Sequence, residues 1–157
     1  MKTTVQNQME VIEHLFDEKI QLTGVTEFGV SLDEIIKGQS QLPPEGARFN
    51  IAFEGRVEGP EISGTKRGID YLEVRPDGKL ILRMQAVITT DDGENIAVYE
   101  DGINTLAGNG STVGELSLNM HMHTASPKYN WVNKIQVWCK GFVDMEKGKA
   151  RVSAFRS

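Results

Sequence analysis

The chain has 157 residues, 39% hydrophobic and 25% charged, the size and make-up of one globular domain that can bury a core without disulfides or structural metal. Against 22 Asp and Glu stand 17 Lys and Arg, a formal charge of -5. That balance argues against the dense cationic face needed for non-specific phosphate-backbone binding, and no nucleic-acid partner is expected. The one cysteine, Cys139 in "KIQVWCKGF", excludes an intrachain disulfide framework and reads as a small buried hydrophobe rather than a reactive thiol. No stretch has a signal-peptide core and nowhere do eighteen apolar residues run together, so a cytoplasmic protein with no membrane partner is expected.

In chain order, residues 1–8 are polar and expected to be flexible, and residues 9–157 form a single β-barrel domain. "VIEHLFDEKIQLTGV" reads as an extended first strand, although Val11, Leu15 and Leu22 also fit a helical face. "VSLDEIIKGQ" is the clear helix signal: Ser31 can cap free N–H groups, Glu34 stands three residues on, and Gly38 can end the turn. Pro43 and Pro44 then break regular structure. In "ARFNIAFEG", Phe49, Ile51 and Phe53 alternate with Arg48, Asn50, Ala52 and Glu54, the period of a half-buried strand. Gly59-Pro60 marks a turn or bulge, and Gly64 and Gly68 bracket a short "TKR" segment. Three runs joined by Asp77-Gly78 and Asp92-Gly93 follow, then a Gly-rich loop "DGINTLAGNGSTVG" and the strand "ELSLNMHMHTA". After the turn "SPKYN" come the run "WVNKIQVWCKGFVDM", the turn "EKGK" and a last strand "ARVSAFR". About eight short strands with one short helix imply an all-β antiparallel barrel or sandwich.

Two-residue turns at the Asp-Gly pairs would set Leu72 opposite Arg83, Asp70 opposite Gln85, and Gln85 opposite Glu100. One face would then carry Ile69, Tyr71, Leu80, Leu82, Met84, Ala86, Ile88, Ala97 and Tyr99. The other would carry Leu72, Val74, Ile81, Val87 and Val98, interrupted mid-strand by Asp70, Arg83, Gln85 and Glu100. Those four polar groups, standing among apolar neighbours, are the main site candidate. A solvated ladder of opposite charges on the outside of the sheet is the competing reading. A second cluster places His121 and His123 on one strand face with Asn119; such a pair can chelate a metal, but the further ligands a site needs are missing, and no metal is expected. Asn133 would share the buried register of Ile135, Val137 and Cys139 and need a partner there. Trp131, Trp138 and Tyr129 read as packing rather than cofactor stacking. No phosphate loop, nucleophile elbow or zinc-cysteine spacing is present, so no cofactor is expected.

An ordered set of motifs runs through the chain: Gly59, Pro60 and Gly64; Gly68, Asp70 and Tyr71; Arg75, Asp77 and Gly78; Thr90, Asp92 and Gly93; and Tyr129, Trp131 and Asn133. From about Phe16 onward this resembles a bacterial and fungal family of small proteins known only as a domain of unknown function. The resemblance implies a calycin-like β-barrel akin to allene oxide cyclase and dirigent proteins, oligomeric barrels whose interior steers reactive small molecules. The chain departs from that pattern at Arg83 and Gln85, where many members carry an acidic residue and an arginine, and it is short around His121.

The function expected is cofactor-free proton transfer, of isomerase, cyclase or lyase type, on a small apolar carbonyl or phenolic metabolite. Asp70, Glu100 and His123 would be the catalytic groups. Arg83, Gln85, Tyr71, Tyr99, His121, Trp131 and Asn133 would bind substrate, and the protein would be a homo-oligomer. A non-catalytic ligand-binding barrel and a metal-dependent enzyme built on the His121/His123 pair are the alternatives.

Overall fold

The computed structural model describes residues 12–157; the expectation of a loose segment over residues 1–8 lies outside them. Eight antiparallel strands close into an up-and-down barrel in which each strand pairs with its sequence neighbours and β8 returns to β1. They are β1 (Glu13–Glu27), β2 (Ala47–Glu58), β3 (Gly64–Val74), β4 (Leu80–Thr90), β5 (Asn95–Leu106), β6 (Val113–His123), β7 (Val137–Asp144) and β8 (Lys149–Arg156). The one α-helix among the described residues, α1 (Leu32–Ile36), lies between β1 and β2, and Ser31 caps it by accepting from the Glu34 N–H. The reciprocal half of the capping box is not formed: the Glu34 carboxylate accepts from Ser40 instead.

Period-two alternation sends one side of every strand into the barrel. Phe16, Val57, Ile88, Ile96, Met120 and Val137 fill one end with almost no exposure. At that end a 3-10 helix over Asn130–Lys134 buries Val132. The outer rows carry most of the Lys, Arg, Asp and Glu, the inverse of the apolar outer band of a membrane-spanning barrel. No helix among the described residues is long and apolar enough to cross a membrane.

Four local expectations are corrected. First, neither Asp-Gly pair forms a two-residue turn. The Arg75 N–H donates to the Lys79 carbonyl and the Gly78 N–H to the Arg75 carbonyl, so Pro76, Asp77 and Gly78 make a three-residue loop with Gly78 at φ 88°. The same pattern recurs at Thr90, Glu94 and Gly93, with Gly93 at φ 93°. A type I turn followed by a left-handed glycine adds one residue to each connection. Asp70 consequently pairs with Met84 rather than Gln85, and Glu100 with Met84 rather than Gln85. One residue of slip reverses the face of the partner strand: Leu80, Leu82, Met84, Ala86 and Ile88 join Asp70 and Glu100 on the inside, and Arg83 and Gln85 turn outward.

Second, β3 begins at Gly64, so the "TKR" segment is strand and Lys66 points inward. Third, β5 continues to Leu106, so "DGINTL" is strand and Asn104 points inward. Fourth, "WVN" is a 3-10 turn and not part of β7; Asn133 is exposed there and clips the chain by bonding both the N–H and the carbonyl of Thr124.

Asp92 ties the β4–β5 hairpin to the segment before that turn. It accepts from Thr90 Oγ1, from Lys128 Nζ at 2.7 Å and from the Tyr129 hydroxyl at 2.7 Å, and these three bonds hold its carboxyl well below the usual carboxylate range. Tyr129 is buried and has no other hydroxyl partner among the described residues. Tyr129→Phe is therefore expected to lower stability by about 1–2 kcal/mol in urea unfolding without altering the barrel's circular dichroism; unchanged stability would show that the bond contributes nothing.

Candidate functional site

The half of the barrel beyond that filled end holds a cavity of about 70 Å³. Its walls are aliphatic, with Leu72 and Leu82 on one side and Leu116, Leu118 and Val143 on the other. Five polar side chains interrupt this lining: Glu18, Lys66, Asp70, Glu100 and Asn104.

Lys66 is the centre of the floor. Its Nζ lies 2.6 Å from Glu18 Oε1 and bonds Glu100 Oε1 as well, all three side chains being almost fully enclosed. Charged side chains are rarely so deep unless paired. Two neighbouring inward positions are glycines: Gly55 pairs with Lys66 across the sheet, and Gly68 is the next inward residue on β3. A Cβ at Gly55 would run into the Lys19 carbonyl, and one at Gly68 into the Gln85 carbonyl and the Ala86 side chain. These close approaches bend the wall and leave room for the lysine stem. An ammonium has three N–H donors, and the two carboxylates take two; the ring of Phe53 lies 5.8 Å from Nζ.

Burial alone would depress the Lys66 ammonium, but the charges of Glu100 and Glu18 outweigh it and hold its pKa above the ordinary lysine value. Glu18 moves the other way. Burial pushes its carboxyl up to about 7, against the attraction of Lys66 and with help from the Glu100 charge. Its Oε2 is buried without a hydrogen-bond partner. Asp70, on the wall above Lys66, is also pushed up to about 7, by burial first and by the Glu100 charge; a bond of 3.2 Å from the Arg83 backbone N–H to Oδ1 opposes the shift. No cation pairs with it among the described residues. Asn104 is the last polar group, nearer the α1 end, and its amide makes only a 3.9 Å contact to the Met145 sulfur, leaving Oδ1 unpartnered. Glu18 Oε2 and Asn104 Oδ1 are the two buried side-chain polar atoms among the described residues that lack a hydrogen bond, and both belong to cavity-lining residues. Each such group costs about 1–3 kcal/mol when left unsatisfied, which a ligand can return on binding.

Glu18, Glu100 and Cys139 have ligand atoms close enough to surround a metal ion. The Lys66 ammonium already stands against both carboxylates in the place of a cation, and burial pushes the Cys139 thiol far up, away from the thiolate a metal requires. This set does not fit a metal.

Of the residues singled out in the sequence, Asp70 and Glu100 face the cavity. Tyr71, Arg83, Gln85 and Tyr99 lie on the outer wall, where Arg83 reaches Glu73 at 3.3 Å and Gln85 pairs with Tyr99. His121 and His123 are exposed on the same outer wall, opposite Tyr99 and Ala97, and no third metal-ligating side chain joins them among the described residues. Trp131 is half-buried on the 3-10 turn with the Arg156 guanidinium 5.3 Å from its ring, and Asn133 beside it bonds the Thr124 backbone. Glu18, Lys66 and Asn104 were missed. For Glu18 the signal was present: it alternates with Phe16 and Ile20 on the apolar side of β1.

Residues 20–156 match the family described as "Protein of unknown function (DUF3237)". A UPF0311 protein of Clostridium acetobutylicum is 32% identical over 124 residues, spanning 70% of this chain and 73% of its own. A crystal structure of a protein of unknown function from the same organism has a TM-score of 0.74 at 24% identity, covering 92% of this chain and 95% of its own. A β-barrel-like protein of Acinetobacter baumannii gives a TM-score of 0.73 at 22% identity over 92% and 94% of the two chains. A structure described as an enzyme from Penicillium herquei gives 0.63 at 20% identity, covering 92% of each. At these identities the three structures share the fold. With a closed eight-stranded barrel and a match over nearly the whole chain, this protein belongs to the DUF3237 family.

Proposed function

We propose that the barrel binds a small, largely apolar carbonyl or phenolic molecule and catalyses a cofactor-free proton transfer on it, of the isomerase, cyclase or lyase type. The observation that carries this reading is a carboxyl without a cation partner, Asp70, whose burial sets its pKa to about 7 on the wall of an apolar cavity floored by a buried ammonium. A base with a pKa near the working pH takes and returns protons most efficiently. In this reading the Asp70 oxygen that does not face the Arg83 N–H accepts a proton from the carbon next to the substrate carbonyl. The C–H electron pair becomes the new C=C bond, and the carbonyl π pair moves onto oxygen, where the third N–H of Lys66 meets it. In a substrate with a β,γ double bond the enolate is a dienolate, and return of the proton to the γ-carbon shifts the double bond into conjugation with the re-formed carbonyl, an isomerisation with no electron lost or gained. In a simple ketone the proton returns to the same carbon and the step is read as exchange. Glu18 and Glu100 act as positioning residues that hold the ammonium. A barrel of this fold described as an enzyme, from Penicillium herquei, is in keeping with the reading.

The test uses a simple aryl ketone. Exchange of the methyl protons of acetophenone in D2O, followed by proton NMR, is expected to be faster with the protein than in buffer and to be lost in Asp70→Asn. No acceleration with a panel of such ketones, or full activity in the variant, sinks the proposal.

Self-association is part of the proposal. Tyr99 on β5 and Trp138 and Phe142 on β7 are exposed at 53, 41 and 62%, aromatic side chains on neighbouring parts of the outer wall that a second copy can cover, while Tyr71, 41% exposed, stands on the far side on β3. Sedimentation velocity showing only monomer at micromolar concentration would remove it.

A further inference from the structure

We propose that the ligand carries two oxygen functions at opposite ends of a small apolar body, one seated on the Glu18–Lys66 floor and the other on Asn104; this rests on the proton-transfer reading above and names the substrate class it takes. The two polar stations are separated along the barrel axis. Glu100, which shares Lys66 with Glu18, and Asn104 are four residues apart on β5, roughly 13 Å at the rise of a strand. Between them the wall is aliphatic, formed by Leu72, Leu82, Leu116 and Leu118. That is a spacing of backbone positions; a benzene ring with one oxygen function at each end is long enough to reach side chains at both, and the walls of the cavity of about 70 Å³ must give to admit it.

The chemistry of the two ends differs. The floor offers donors to a carbonyl oxygen: the third Lys66 N–H, and Glu18 Oε2 when its carboxyl is protonated. Burial raises the Glu18 carboxyl far enough for that proton to be present near neutrality. Asn104 offers an amide whose oxygen has no partner and whose NH2 meets only a thioether. A ligand hydroxyl, donor and acceptor at once, satisfies either orientation of that amide. Gly114, next to Asn104 across the sheet, leaves the space its side chain occupies, since a Cβ there would collide with the amide oxygen. The amide is thereby held against the wall with its oxygen over Gly114.

The experiment compares acetophenone, phenol and the ortho, meta and para isomers of hydroxyacetophenone by calorimetric titration into the wild-type protein, Asn104→Leu and Asn104→Ala. The para isomer is expected to bind about tenfold more tightly than acetophenone, phenol or the ortho isomer, because a site built to bond a hydroxyl discriminates against ligands that lack it. Both Asn104 variants should abolish the preference, the para isomer binding each variant no more tightly than acetophenone binds the same variant. Equal binding of all five probes, no binding of any, or a para preference that survives in both variants overturns the proposal. Proton exchange of acetophenone without a para preference refutes the ligand class alone. A para preference without exchange refutes the proton-transfer reading alone.

Discussion

Lys66→Met should destabilise the barrel by about 3–5 kcal/mol at pH 8, the penalty of leaving buried carboxylates without the cation that faces them. Methionine keeps most of the aliphatic stem, so the loss reports the ammonium and not a void. The wild-type geometry explains the size: one Nζ bonds both Glu18 and Glu100 in a site nearly closed to water. The deficit should shrink as pH falls. A carboxyl whose pKa is raised on folding binds its proton more tightly in the native state, so acid favours that state. For Glu18, raised from 4.5 to about 7, native stability relative to the unfolded chain falls as pH climbs between those values and is level above. With Lys66 gone the upward push on Glu18 grows, and the variant should recover much of its stability near pH 5. Urea unfolding at pH 5 and pH 8 checks both points; a variant as stable as wild type at pH 8 would mean that the buried cluster is not charged as described.

Asp70→Asn should gain stability and lose activity. Asp70 is raised from 3.8 to about 7 chiefly by burial, so its ionisation above neutrality works against the fold. The penalty accumulates between pH 4 and pH 7, and a neutral amide of the same shape escapes it. The variant should gain on the order of 2 kcal/mol relative to wild type between pH 4.5 and pH 8, below the ceiling of roughly 4 kcal/mol set by a shift of three pH units. The same variant should lose acetophenone proton exchange by about 100-fold or more, because an amide cannot accept the proton. In wild type the exchange rate should rise with pH through about 7 and then level off. A stability gain with unchanged exchange would keep the buried carboxyl and discard its role as base. A stability difference that does not vary with pH would show that Asp70 is not held away from water.

These expectations give the cluster a physical logic. Glu100 lies against the Lys66 ammonium, while burial raises the Glu18 and Asp70 carboxyls to about 7 in the same dry space. Groups of one chemical type pushed to different roles by their surroundings are a recurrent means of running acid and base chemistry at one pH. The unsatisfied atoms of Glu18 and Asn104 mark where the protein alone does not complete the arrangement.

Read alone, the sequence determined about eight strands in an antiparallel barrel or sandwich, the capped helix and the burial of Cys139, because period two, glycine and proline turns and a Ser31 cap are local rules. It also brought forward Asp70 and Glu100, polar residues standing among apolar neighbours in mid-strand. Which of their companions share the cavity was decided only by the tertiary structure. Each Asp-Gly connection carries one residue more than a two-residue turn, and because side chains alternate at every residue, that difference moved Arg83 and Gln85 outside and Met84 inside. Glu18, Lys66 and Asn104 come from strands far apart in the chain, and closure of β1 against β8 gathers them into one enclosed space that no local pattern encodes.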